Sequence, residues 1–212
     1  MNSKKEEIFS ILNKEYPRSK TALIYTTPWQ MLVATILSAQ CTDARVNQIT
    51  EVLFKDHPDV KDYSDMSQSS LIKYIKSAGF YKNKSKNVLA AAKMIQKDFN
   101  SEVPRTMAEM IKIPGVARKT ANVVLGNAYN VTEGVAVDTH VKRLSFRLGF
   151  SKETNPEKIE KDLMKQFDRK KWYKLTHVLI DHGRKICKAI TPACSKCEVS
   201  KLCPKNGVKK SC

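Results

Sequence analysis

Apolar residues recur at helical spacing along almost the whole chain while strand signals are scarce, so the sequence predicts an all-α protein. Gly and Pro stand where such helices should begin and end. Thr27-Pro28-Trp29-Gln30 reads as a helix start, with Thr27 as N-cap, Pro28 in the first turn and Gln30 at the capping-box position, the helix running to about Ser38. Further helices fit Asp43 to Lys55, Gln68 to Ser77 closed by Gly79, Lys84 to Phe99, Met107 to Lys112 and Arg118 to Ala128. After Gly134 the pattern predicts helices over Thr139 to Leu148, from Asn155-Pro156 onward, and over Lys171 to Ile186. Near the N-terminus, Ile8, Phe9, Ile11 and Leu12 mark an amphipathic stretch.

A chain of 212 residues makes one large domain or two small ones and buries a core without cross-links. With 42% hydrophobic residues and only seven Gly, it is neither collagen-like nor of low complexity. Its longest apolar stretch, Trp29 to Ala39, is interrupted by Gln30, Thr35 and Ser38 and falls short of the ~20 residues of a membrane span. The charged residues before Ile8 lack the apolar run of a secretory signal, so the expectation is a cytoplasmic protein with no membrane partner, nucleoid-associated in a prokaryote. Lys plus Arg number 38 against 21 Asp plus Glu, and the resulting +17 favours an anionic polymer as partner.

Composition shifts at the C-terminal end. From Arg184 to Cys212 there are eight Lys or Arg, only Glu198 opposes them, and five of the six cysteines lie there. Cys187, Cys194, Cys197 and Cys203 are separated by six, two and five residues, a density that signals a metal site in a reducing compartment. Four thiolates can hold either zinc or an iron–sulfur cluster, and the single close pair leans toward a cluster. Either group would be structural, because four protein ligands leave no open position. It would pin Lys185, Lys188 and Lys196 where they can meet phosphates. Cys41 reads as a small buried hydrophobe and Cys212 as a frayed end.

Ile113-Pro114-Gly115-Val116-Ala117 reads as a tight hairpin between two short helices, with Arg118-Lys119-Thr120 opening the second. Gly115 permits a close backbone approach and the helix start offers unpaired N–H groups, which together suit a phosphate. An ordinary helix–helix turn would look the same on the glycine alone. By composition Lys119 is a solvated lysine, Asp138 a helix N-cap in Val137-Asp138-Thr139-His140, and His140 a helix-surface residue.

Four segments carry a more specific signal: IPGVARKTANVV (Ile113 to Val124), VAVDTHVKR (Val135 to Arg143), LSAQ (Leu37 to Gln40) and the C-x6-C-x2-C-x5-C tail. In order and spacing they closely resemble the endonuclease III family of helix–hairpin–helix DNA glycosylases, over about residues 20 to 205. The resemblance implies a two-lobed all-α fold. A six-helix lobe would span 22–132, with the helix–hairpin–helix at about 107–128. The second lobe would combine 1–21 with 133–212 and carry a [4Fe-4S] cluster on Cys187, Cys194, Cys197 and Cys203, in a loop over 187–203.

The implied activity is removal of oxidised pyrimidines from double-stranded DNA, followed by cleavage 3′ to the abasic site, by a monomeric enzyme working in the cleft between lobes. The base must be flipped out because its C1′ cannot be reached inside the stack. The motifs place the family's nucleophilic lysine on Lys119 and its aspartate on Asp138. Gln40 matches the residue that fills the hole left by flipping, and Phe80 stands where an apolar wedge is expected. Beside Gly79, Phe80 could equally be a helix-end contact. Further DNA contacts fall on Gly115, Val116, Ala117 and Lys188, and on Lys84 in a basic run with Lys82 and Lys86.

Two positions depart from the family pattern. Ala117 replaces a usual glycine and would cost about 1 kcal/mol if φ were positive. Cys41 replaces a frequent Ala beside Gln40 and would be oxidation-sensitive if exposed. The alternatives are a monofunctional mismatch-specific glycosylase, whose members typically lack the lysine, and a non-catalytic iron–sulfur DNA-binding protein, which would need neither Lys119 nor Asp138.

Overall fold

The computed structural model describes residues 4–212, so the first three residues of the expected second lobe lie outside it. No β-strand occurs among the described residues, in agreement with the helical periodicity. The chain forms two compact units: Ala22–Glu133, and Gly134–Cys212 together with the described part of Met1–Thr21.

The first unit is built around α2 (Pro28–Leu37), whose residues are buried except Pro28 and Thr35. Each fully buried Leu or Met there contributes about 1.5–3 kcal/mol relative to exposure. Thr27 caps the helix as its sequence predicts, accepting a hydrogen bond from the Gln30 N–H at 3.2 Å. The reciprocal half of the capping box slips by one residue, because Gln30 Oε1 accepts from the Thr26 N–H and hydroxyl instead of from Thr27. Against α2 pack α3 (Asp43–Asp56), α6 (Tyr81–Asp98) and α8 (Arg118–Tyr129). Between them run α4 (Val60–Ser64), α5 (Gln68–Ile75), a 3-10 turn at Lys76–Ala78, and the short α7 (Met107–Met110). α4 is too short to show a period and has no counterpart in the sequence reading.

The second unit begins with α1 (Lys4–Glu15), which buries Ile8, Phe9 and Leu12 as its amphipathic pattern predicts. It packs on α11 (Arg169–Lys185), which also contacts α9 (Thr139–Arg147) and α10 (Pro156–Gln166). Glu6 pairs with Lys171 at 2.7 Å, and the Ser19 hydroxyl donates to Asp181 at 2.6 Å, fixing the N-terminal segment on α11. Thus residues far apart in sequence share one apolar core with Leu144, Phe150, Leu163 and Val178.

Candidate nucleic-acid interface and cysteine pocket

In the first unit, the segment from Ile113 to Ala117 forms a turn closed by the Val116 N–H on the Ile113 carbonyl at 3.0 Å. That bond corrects one expectation. Val116 spends its donor inside the turn and its side chain is buried, so the exposed part of the hairpin is Gly115 and Ala117. Gly115 has φ +78°, and a Cβ there would lie 2.7 Å from Asn87 Cβ, so both conformation and space demand glycine. The close approach it permits is to Asn87 of α6. Ala117 sits at φ −84° as the N-cap of α8 and carries no left-handed strain. Lys119 follows in the first turn of α8 and is exposed.

Gln40, Phe80, Lys84, Asn87, Gly115 and Thr120 line one open groove of about 260 Å³. Both expected wedges stand out from the backbone. Gln40 has φ 52° and is exposed; Phe80 has φ 48° and 66% of its surface is exposed. A left-handed aromatic residue is a strained position, and Phe80 is the one aromatic there among the described residues. Phe80 serves as the N-cap of α6, which is why that helix begins at Tyr81 and not at Lys84 as its periodicity predicts.

Lys84 departs from its expected place on the DNA backbone. Only 4% of it is exposed, and its Nζ donates to the carbonyls of Leu37 at 2.8 Å and Ala78 at 2.6 Å. Burial lowers its pKa from the ordinary lysine value. Helix ends leave orphan carbonyls, and the Lys84 ammonium satisfies two of them instead of reaching outward. Lys82 and Lys86 remain exposed on the same helix.

In the second unit, Asp138 is half-buried as the N-cap of α9, its Oδ1 accepting the Val141 N–H at 2.8 Å. The cap fixes the carboxylate without consuming both oxygens, so the structural and chemical readings of this residue are compatible. His140 is not simply on the helix surface. Its Nδ1 lies 3.1 Å from Arg143 Nη2, and burial lowers its pKa while Asp138 opposes the shift.

Cys187, Cys194, Cys197 and Cys203 line one pocket with Leu148, Ile186 and Val208. No disulfide joins them. Donors approach two of the sulfurs: Arg147 Nη1 lies 3.4 Å from Cys187 Sγ and the Lys205 N–H 3.3 Å from Cys203 Sγ, while His182 Nε2 lies 3.5 Å from Cys197 Sγ. Such donors suit thiolates that ligate an iron–sulfur cluster. Among the described residues no three His, Cys, Asp or Glu side chains are arranged to hold a single metal ion. Burial raises the thiol pKa of Cys197 and Cys203.

Arg147 is the residue the sequence reading missed. It is buried in α9 and donates to the carbonyls of Lys188 and Ala189, both at 2.7 Å, holding the start of the cysteine loop. Arg143, one turn earlier on the same face, reaches the Cys187 carbonyl at 3.1 Å. Their spacing of four could have flagged them. Lys185, Lys188 and Lys196 are all exposed, and Lys185 places its ammonium 5.2 Å from the Tyr16 ring centroid. Cys212 is not a frayed end: it accepts from the Ser195 N–H at 3.0 Å and donates to the Pro192 carbonyl at 3.1 Å. Cys41 is half-buried, not fully interior.

Comparison with known proteins gives concordant matches. The family described as HhH-GPD superfamily base excision DNA repair protein matches residues 33–169. Endonuclease III of Synechocystis sp. is 49% identical over 207 residues, 96% of this chain and 94% of that protein. A solved non-covalent endonuclease III–DNA complex is similar with a TM-score of 0.90 and 39% identity, covering 97% of each chain. A trapped endonuclease III–DNA covalent intermediate matches with the same TM-score, identity and coverage.

Proposed function

From the premise that this chain belongs to the endonuclease III family of base excision DNA repair proteins, we propose that it removes oxidised pyrimidines from double-stranded DNA and cleaves the resulting abasic site. The observation that carries the reading is Lys119, an exposed amine in the first turn of α8, directly after the Gly115 hairpin.

Lys119, once neutral, attacks C1′ of the flipped nucleotide and forms the C–N bond as the base leaves. Opening of the sugar ring then breaks the C1′–O4′ bond, with a proton passing to O4′, and gives a protonated Schiff base, an electron sink that acidifies the C2′ proton. Removal of that proton expels the 3′ phosphate by β-elimination. Asp138, held by its cap bond to Val141, accepts a proton from the amine or stabilises the cationic sugar. Gln40 and Phe80 fill the space left by the flipped base, and Gly115, Ala117 and Lys188 contact the phosphates.

Cys187, Cys194, Cys197 and Cys203 hold a [4Fe-4S] cluster, which supplies a structural tie across the basic loop when bound. Arg147 and Arg143 position that loop through its carbonyls, so Lys188 is displayed from a fixed backbone. The enzyme acts as a monomer.

The test is single-turnover incubation with a duplex carrying thymine glycol. Base release with cleavage 3′ to the lesion is expected. Base release with an intact strand would favour a monofunctional glycosylase, and binding with neither product would leave a non-catalytic DNA-binding protein.

A further inference from the structure

Two backbone carbonyls that share one donor lie just upstream of the two left-handed residues of the groove. Leu37 ends α2, three residues before Gln40 at φ 52°; Ala78 ends the 3-10 turn, two residues before Phe80 at φ 48°. Nζ of Lys84 bonds both, at 2.8 and 2.6 Å, and the lysine is buried. We propose that Lys84 is a positioning residue that ties the Gln40 loop to the Phe80 loop and sets the spacing at which both enter the duplex.

The chemistry favours this role over a simple helix cap. An ammonium carries three donors on one atom, so it can hold two carbonyls at a fixed separation, which no neutral side chain of similar length does as well. Two carbonyls approaching each other repel, and the cation between them converts that repulsion into a tie. Both loops also keep strained residues that persist only when their surroundings over-determine them. α6 contributes the lysine and, through Asn87, the contact that fits Gly115, so one helix registers both wedge loops and the hairpin.

This inference rests on the reading of Gln40 and Phe80 as the residues that enter DNA, and its test separates the two. Single-turnover base release and fluorescence of 2-aminopurine beside thymine glycol would be measured for wild type, Lys84→Met, Gln40→Ala and Phe80→Ala. Lys84→Met is expected to lower the unstacking signal and slow base release about ten- to a hundredfold, as misplacement by about 1 Å does. Its binding to undamaged duplex should keep the wild-type salt dependence, because the ammonium does not reach phosphate. In a Phe80→Ala, Gln40→Ala background the lysine change should add little.

A salt slope reduced by about one in Lys84→Met would mean a phosphate contact and overturn the proposal. So would a wild-type 2-aminopurine signal in Lys84→Met while the wedge variants lose theirs. Wild-type signals in both Gln40→Ala and Phe80→Ala would remove the wedge reading, and the tie with it. Should Lys84→Met fail to fold, Lys84→Gln, whose shorter amide reaches one carbonyl, is expected to give a partial loss, and an unchanged signal there overturns the tie.

Discussion

Gly115 meets two demands in one residue, a φ of +78° and the absence of a Cβ that would strike Asn87 at 2.7 Å. Gly115→Ala should therefore destabilise the protein by about 2 kcal/mol, read from urea unfolding, and weaken DNA binding as the hairpin shifts. His177 makes a separate prediction. It is buried and its pKa falls to about 4, chiefly by desolvation. The unfolded chain takes up a proton near pH 6.5 that the folded chain refuses until about pH 4, so stability is intact above that window and falls as pH drops through it. At pH 5 the loss should be about 2 kcal/mol, and His177→Leu should flatten that part of the curve. The exposed position of Lys119 in the first turn of α8 was legible because its motif marks the helix start. Lys84 was not, because a lysine beside two others looks the same whether it faces water or folds back onto helix-end carbonyls.

Helices were legible where apolar period and caps agreed. α2, α9 and α10 begin at Pro28, Thr139 and Pro156 as their capping residues predict. Boundaries failed where the backbone does something sequence period does not encode. α6 begins three residues early because Phe80 adopts a left-handed conformation, and α5 tightens into a 3-10 turn before Gly79. The cysteine spacing announced the C-terminal loop but not its anchors. Arg147→Met removes the donors to the Lys188 and Ala189 carbonyls, each orphaned group costing about 1–3 kcal/mol where water cannot replace the donor. The purified variant should lose visible cluster absorbance while the helical circular dichroism of the chain largely persists. Full retention of the chromophore would contradict the anchoring role.

At the scale of the molecule, +17 of formal charge suits a polyanion, and Lys82, Lys86, Lys119 and Lys188 are among its exposed basic side chains. Affinity for undamaged duplex should fall linearly on a log–log plot against salt, with Lys82→Ala and Lys86→Ala each reducing the slope by about one. The core of the second unit is assembled from both ends of the chain, and the sequence showed this only through family resemblance, since no local pattern says that α1 packs on α11. In the proposed chemistry one amine performs both steps. Borohydride reduction during reaction with a thymine glycol duplex, followed by peptide mapping, tests it most directly. A covalent DNA adduct on Lys119, absent from Lys119→Ala, is expected, whereas strand cleavage without any adduct, or an adduct mapped to another residue, would overturn the shared-amine chemistry.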